Sequence, residues 1–296
     1  MNTTLRILVP LDGSAEAEAA LSEAERIAVG TAEVHLLHVV PSLPLSLDAS
    51  SLGAMELHDR ALCYLEEVRR RFPEMGGLDL IRTGEPADAI FQVTLEFNID
   101  LIAMCTHART GLGRWFLGSV AETVLQRAQL PVLLTRPGIS APRSVLRRVL
   151  VPLDGSEESF AMLTAVKRLA LQTGAEVVLL HVNEQANSPG PRRGGLEASR
   201  IAEDPEHKIL TVADRLGTSD LVFWQTIGEG DAVDEILEHA KTLDADLIVM
   251  STHARVGRER TAFGSVAQTV LGRADRAVLL QKPLARAVAT GTGGFP

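Results

Sequence analysis

The feature that most limits what this chain can fold into is that it contains itself twice. Arg6-Ile-Leu-Val-Pro-Leu-Asp-Gly-Ser14 returns 142 residues later as Arg148-Val-Leu-Val-Pro-Leu-Asp-Gly-Ser156. Leu36-Leu-His-Val39 returns 143 residues on as Leu179-Leu-His-Val182. Asp100-Leu-Ile-Ala-Met-Cys-Thr-His-Ala-Arg109 and Leu117-Gly-Ser-Val-Ala-Glu-Thr-Val-Leu125 return 146 residues on, as Asp246-Leu-Ile-Val-Met-Ser-Thr-His-Ala-Arg255 and Phe263-Gly-Ser-Val-Ala-Gln-Thr-Val-Leu271. A collinear repeat of this length is too long for a solenoid unit and has the size of a domain. The 296 residues therefore divide into a first domain over 1–140, a second over 144–284 and a tail over 285–296 that is expected to fray. Pro137-Gly-Ile-Ser-Ala-Pro142 has the composition of the linker between them.

Within each copy, short apolar runs alternate with stretches of helical period. Residues 5–11, 33–40, 78–82, 101–105 and 132–135 are expected to be buried strands. Ala17, Ala20, Leu21, Ala24, Ile27 and Ala28 follow the i, i+3, i+4, i+7 spacing of one helix face. The same spacing recurs at Ala61, Leu65, Val68 and Phe72, at Ile90, Val93 and Phe97, and at Ala121, Val124, Leu125 and Ala128. The second copy repeats it at Met162, Ala165, Val166 and Leu169, and at Ala267, Val270, Leu271 and Ala274. Strands apolar on both faces and alternating with helices imply an α/β fold: two tandem doubly wound domains, each a parallel sheet with helices on both sides. The Pro- and Gly-rich stretch after residue 183 is expected to be a mobile loop.

Composition removes several functions. A net charge of −9 with 4% aromatic residues suits neither a nucleic acid backbone nor base stacking. No apolar run is long enough for a membrane helix, and the first residues lack the pattern of a signal peptide. Two cysteines, Cys63 and Cys105, fit a reducing cytoplasm better than a disulfide framework. Absent too are a G-x-x-x-x-G-K-[ST] phosphate loop, a G-x-G-x-x-G turn after a strand, a G-x-S-x-G nucleophile elbow and any Cys/His metal spacing.

In open parallel sheets ligands bind beyond the carboxyl ends of the strands, and the duplicated segments converge there. Asp12 and Asp154 stand at strand ends beside a glycine, where a carboxylate either accepts from a ligand hydroxyl or amine or caps the following helix. Gly118-Ser119 and Gly264-Ser265 open a helix, and helix N-termini attract phosphate. Ser119 with Glu122, and Ser265 with Gln268, also fit a capping box. The loops before them carry His107, Arg109 and Arg114, and His253, Arg255 and Arg258, able to meet a ligand or to stand as solvated loop residues. His38 and His181 lie inside strands and are expected to be core residues; Cys105, matched by Ser251, is a poor candidate nucleophile.

Val-Pro-Leu-Asp-Gly-Ser, then Leu-Leu-His-Val, then Thr-His-Ala-Arg-Thr-Gly-Leu-Gly-Arg and Leu-Gly-Ser-Val-Ala, in that order and largely repeated, resemble the universal stress protein family in its tandem form, over about residues 5–137 and 147–283. The resemblance implies five-stranded domains of the adenine nucleotide alpha hydrolase-like kind, paired through their last strands within one chain. It implies ATP as ligand, with Mg2+ accompanying the nucleotide, and a regulatory role in the stress response with little or no turnover. A nucleotide-free scaffold and a slow ATP hydrolase assisted by His107 or His253 are the alternatives. A cytoplasmic homodimer, a pseudo-tetramer of domains with a further protein partner, would be its setting.

Members of the nucleotide-binding branch are similar in carrying G-x2-G-x9-G-[ST]. This chain keeps the last Gly-Ser in both copies but has Cys105 and Ala108, and Ser251 and Ala254, at the first two glycines. Carried across, Asp12 and Val39 would meet adenine and ribose, Met104, Cys105, Thr106, His107, Ala108 and Arg109 would line base and phosphates, and Gly118, Ser119 and Val120 would hold the phosphates. The counterparts are Asp154, Val182, Met250, Ser251, Thr252, His253, Ala254, Arg255, Gly264, Ser265 and Val266. Pro10 and Pro152 would shape the strand ends. Glu259 in the second loop would repel phosphate, which favours the first site.

Overall fold

A computed structural model describes residues 4–28, 32–42, 52–106, 117–139, 145–156, 159–160, 162–183, 223–252 and 264–282. The stretch after residue 183 and the tail, expected to be mobile or frayed, lie outside these residues. The first half runs β1 (Arg6–Leu11), α1 (Ala15–Ile27), β2 (Glu33–Val40), α2 (Leu52–Arg71), β3 (Asp79–Thr83), α3 (Pro86–Glu96), β4 (Leu101–Cys105), α4 (Ser119–Arg127) and β5 (Val132–Thr135). The second half supplies β6 (Arg148–Leu153), α5 (Leu163–Thr173), β7 (Glu176–Asn183), β8 (Phe223–Glu229), α6 (Ala232–Thr242), β9 (Leu247–Ser251), α7 (Ser265–Arg273) and β10 (Ala277–Gln281). The expected strands are present to within a residue or so at each end.

All ten strands form one sheet in the order β3-β2-β1-β4-β5-β10-β9-β6-β7-β8. Each half is parallel throughout, and the halves join where β5 and β10 run antiparallel. In that junction Leu133 lies opposite Leu279, its own counterpart 146 residues on, so a pseudo-twofold axis passes between them. The strand side chains alternate between two apolar layers. Ile7, Val9, Ala103, Leu133 and Leu279 pack under α1, α2 and α5 in a layer continuous across both halves. Leu8, Ile102, Met104, Leu134 and Leu280 pack against α3, α4, α6 and α7. Burial on both faces is why the strands read as unbroken apolar runs.

The helices form where the apolar spacing placed them. Ala17, Ala20, Leu21, Ala24 and Ile27 are all buried on the inner face of α1. Pro86 occupies the first turn of α3, where its missing N–H costs nothing, and Asp231 caps α6 by accepting from Val233 and Asp234. α5 ends on Gly174 at φ +71°, the left-handed turn that glycine adopts without strain.

The junction is also closed by cations at helix ends. Arg136, just after β5, donates to the carbonyls of Gly272 (2.6 Å) and Ala274 at the end of α7. Lys282, its counterpart after β10, donates to the carbonyl of Gln126 in α4. Each half thus places a positive charge on the negative end of the other half's helix.

At the outer edge of the first half, buried His35 accepts the amide of Leu78 on Nδ1 at 3.3 Å, so the ring is neutral with its proton on Nε2. Burial pushes its pKa down, with Glu33 opposing and Arg6 and Arg69 assisting. The unfolded chain therefore binds the proton first as pH falls, and stability is lost from about pH 6.5 downward.

Two measurements check these assignments. Leu133→Ala should destabilise by about 2–5 kcal/mol in urea unfolding, whereas Leu95→Ala, at a position 81% exposed, should stay within about 0.5 kcal/mol. Replacing His35 by Asn should flatten the loss of stability between pH 7 and pH 5 relative to wild type; parallel pH profiles would rule out His35 as its source.

Candidate functional site

The strand order reverses between β1 and β4, and again between β6 and β9, which opens a crevice at the carboxyl ends in each half. The backbone shows what opens it. Leu5 presents its carbonyl to Glu33 of β2, and Arg6 presents its carbonyl to Asp100 at the start of β4. Even-numbered residues of β1 therefore face β4, and Pro10 is one of them. Pro10 has no N–H to give, and the β1–β4 ladder stops at Leu8–Ile102 while β1–β2 continues to Leu11–His38. Pro152 does the same in the second half: β6–β9 stops at Leu150–Ile248, and β6–β7 runs to Leu153–His181. The prolines split the sheet at the two crevices.

Asp12 leaves β1 at the rim of the first crevice, exposed to solvent. Its Oδ1 accepts from the amide of Ser14 at 2.9 Å and from the Ser14 hydroxyl at 2.6 Å, around Gly13 at φ +87°. Ser14, not Asp12, is the cap of α1: its Oγ accepts from the amide of Ala17 at 3.1 Å. Asp154, Gly155 and Ser156 repeat this turn, with the same 2.9 and 2.6 Å bonds, and Ser156 Oγ accepts from the amide of Ser159 at 3.1 Å. The carboxylate is thus held by its own turn in a fixed direction at the strand end.

The capping-box expectation is corrected. Gly118 and Gly264 are the N-caps of α4 and α7, and Ser119 and Ser265 are the first helical residues. Neither cap residue supplies a side-chain cap. A serine one position inside the helix cannot reach back to its own first-turn amides, so the amides of Ser119, Val120 and Ala121 have no side-chain acceptor on their own cap residue. Gly118 has φ −60° and Gly264 φ −52°, which any residue adopts. What glycine contributes there is the absence of a side chain.

Val39 and Val182 are half-buried at the ends of β2 and β7. They pack with Met104, Leu117 and Val120, and with Met250 and Val266, into the α3/α4 and α6/α7 layer, so each crevice has an apolar wall beside its helix terminus. Cys105 points the other way, under α1, and burial pushes its thiol up to about 12, with Glu16 and Asp12 adding to the effect. A thiol of that kind is no nucleophile near neutral pH. Ser251 Oγ is buried without a hydrogen-bond partner. His107, Ala108, Arg109, His253, Ala254 and Arg255 lie outside the described residues.

His38 and His181, expected to be core residues, are half-buried near the ends of β2 and β7, because each ring leaves the core at the strand exit. His181 Nδ1 is 3.0 Å from the carbonyl of Leu153. His38 packs edge-on against Tyr64 with ring centroids 5.5 Å apart, and burial lowers its pKa. Among the described residues no cluster of three or more His, Cys, Asp or Glu is placed to hold a metal, and no helix is long and apolar enough to cross a membrane.

Sequence reasoning set Thr106 and Thr252 only in the run that would line the base and phosphates, and missed what they do for the strands. Thr106 is fully buried, and both its amide (2.9 Å) and its hydroxyl (3.2 Å) donate to the carbonyl of Thr135. Thr252 donates its amide to the carbonyl of Gln281 at 2.9 Å. These residues lash the exits of β4 and β9 to the last strands, so the following loop departs from a fixed point. Their identity in both copies was the available signal.

With this geometry in view, comparison with known proteins is informative. The family described as the universal stress protein family matches residues 4–136 and again 146–282. The chain belongs to the universal stress protein family. A universal stress protein of Mycolicibacterium smegmatis is 25% identical over 95% of this chain and 98% of its own length. One of Thermus aquaticus is 35% identical over 44% of this chain and 97% of its own. The crystal structure of a universal stress protein from Archaeoglobus fulgidus superposes with a TM-score of 0.71 at 21% identity, covering 94% of this chain and 98% of that one, which bears on the fold.

Two outcomes test the site description. Ser14→Ala should cost about 0.5–2 kcal/mol as a lost helix cap, whereas Ser119→Ala, which removes no cap, should leave the urea midpoint nearly unchanged. At pH 8 a thiol reagent should modify Cys63 alone in the folded chain and both cysteines in denaturant; rapid modification of Cys105 in the folded chain would contradict its burial.

Proposed function

We propose that this protein binds ATP at two strand-end sites, one in each domain (1–140 and 144–284), and acts as a nucleotide-dependent regulator in the stress response with little or no turnover. The observation that carries the reading is duplicated: a helix whose cap residue is a glycine, with no side chain of its own over the first-turn amides, beside a crevice held open by a proline. Such a terminus offers amide hydrogens and the positive end of the helix dipole to a phosphate chain. Gly118, Ser119 and Val120 would hold the phosphates in the first site, and Gly264, Ser265 and Val266 in the second.

Asp12 and Asp154 would meet the ribose and adenine, and Val39 with Met104, and Val182 with Met250, would supply the apolar surface for the base. Cys105 and Ser251 would offer backbone groups, since Cys105 turns its side chain into the α1 layer. His107, Ala108 and Arg109, with His253, Ala254 and Arg255, complete the two sets. Mg2+ would accompany the triphosphate, which supplies most of its oxygen ligands. A homodimer in the cytoplasm, engaging a further protein partner, is the setting we propose.

A nucleotide-free scaffold is the second reading, favoured by Cys105, Ala108, Ser251 and Ala254 in place of the glycines of the binding branch. A slow hydrolase using His107 or His253 is the third.

Titration calorimetry with ATP and Mg2+ on wild type and on Gly118→Val/Gly264→Val separates them. Because both glycines have ordinary backbone angles, valine is tolerated by the backbone and acts through its side chain at the helix terminus. Binding to wild type that drops tenfold or more in the variant is expected. Equal affinity, or no heat with wild type at millimolar nucleotide, would reject the phosphate site and leave the scaffold. Phosphate release matching a buffer control excludes the hydrolase.

A further inference from the structure

Two ion pairs cross between the halves at repeat-equivalent positions, one hydrogen-bonded and one held by charge alone. Arg26, in the last turn of α1, brings Nη2 to 3.3 Å from Oδ1 of Asp246. Arg168, its counterpart 142 residues on in α5, brings Nη1 to 2.5 Å from Oδ1 and Nη2 to 3.2 Å from Oδ2 of Asp100. Asp100 and Asp246 are themselves repeat counterparts, so the exchange follows the pseudo-twofold axis.

Each aspartate also gathers the strands of its own half. Asp100 Oδ2 accepts the amide of Arg6, the first residue of β1, at 2.9 Å, and Asp100 directly precedes β4. Asp246 Oδ2 accepts the amides of Arg147 and Arg148 at 2.8 and 3.0 Å and directly precedes β9. The far ends of β1 and β4 form the first crevice, and those of β6 and β9 the second. The arginines ride on the helices that the Asp12–Ser14 and Asp154–Ser156 turns lead into. Each crevice is therefore joined to the other by one helix, one ion pair and two strands.

We propose that these crossed pairs couple the two strand-end sites, so that nucleotide in one half raises the affinity of the other; this rests on the nucleotide reading above. A ligand held between the Asp12 turn and the start of α4 orders β1, β4 and α1 together. α1 carries Arg26 onto Asp246, and β1 with β4 carries Asp100 onto Arg168, so the order extends to β6, β9 and α5. The second ligand then has less left to order and binds more tightly, and linkage makes the effect reciprocal.

The two links are unequal. Arg26 and Asp246 are 2% and 0% exposed, and Glu23 Oε2 accepts from Arg26 Nη1 at 2.6 Å. Arg168 and Asp100 are 40% and 23% exposed, and Ala165 stands where the first half has Glu23. Solvent and salt screen a buried pair far less than an exposed one, so the Arg26 link carries the larger share.

The experiment compares ATP affinity at the first site when the second is disabled by Gly264→Val with the affinity when it is filled, in wild type. A gain of about fivefold or more is expected. It should shrink below twofold in Glu23→Gln/Arg26→Met/Asp246→Asn, which neutralises the buried cluster together so that no lone charge is stranded, while the carboxamide oxygen introduced at position 246 can still accept the strand amides. Arg168→Met, at the exposed pair, should reduce the gain less. Equal affinities in wild type, or a gain untouched by the triple variant, would overturn the coupling.

A ligand-free arm separates this outcome from failure of the nucleotide reading. Ser156→Ala, which loosens the turn leading into α5, should speed hydrogen exchange at the Asp100 and Ile102 amides of the other half, and not do so when combined with Arg168→Met. If no nucleotide binds anywhere, this arm decides alone: acceleration confined to the second half overturns the coupling.

Discussion

The antiparallel contact of β5 with β10 is the constraint on which the remaining structure depends. It sets Leu133 against Leu279 and turns two five-stranded sheets into one of ten. An isolated half would leave the edge of its last strand unpaired, with backbone donors and acceptors and an apolar surface open to water. Joining the edges removes that liability and lets one apolar layer run under α1, α2 and α5 across both halves. Arg136 and Lys282, reaching across to the opposite helix ends, and the crossed Arg–Asp pairs all exist because this junction brings equivalent surfaces face to face. The chain carries inside itself the symmetric pairing that a homodimer makes between copies.

Within that frame the two crevices arise from one missing hydrogen-bond donor each. Pro10 and Pro152 sit on the side of the central strand that faces β4 or β9, and the ladder ends before them. Had they faced β2 or β7, the same residue would have weakened a different seam and left the switch point closed. The Asp-Gly-Ser turns, the glycine helix starts and the threonine lashings at Thr106 and Thr252 then surround the opening. Local geometry of this sort is duplicated closely, while the buried charge at Glu23–Arg26–Asp246 is not. The halves are alike where they form the crevices and along most of their junction, and differ where Glu23 joins one crossed pair and Ala165 stands beside the other.

Much of this was legible in the sequence because it is local or periodic. The strand runs and the Ala17–Ile27 face were visible as patterns, and the repeat made the two-half layout visible without any contact being known. The capping box at Ser119 was misread because S-x-x-E marks a cap only when serine is the last non-helical residue, and one position decides that. Gly118 took the cap, since the chain enters α4 one residue earlier than the motif suggests. The role of Thr106 at the exit of β4 escaped notice for a different reason: its partner, the carbonyl of Thr135, is 29 residues away and belongs to a neighbouring strand.

By itself the sequence determined the α/β class, the duplicated layout, the elements and which segments gather at the strand ends, because these follow from hydrophobic period, turn residues and repetition along one chain. Only the tertiary structure decided that Cys105 turns away from the crevice, that Pro10 faces β4, and that Arg26 meets Asp246 across the axis. Those facts depend on strand register and on packing between residues far apart in the chain, and hydrophobic pattern carries no record of which buried charge will find which partner.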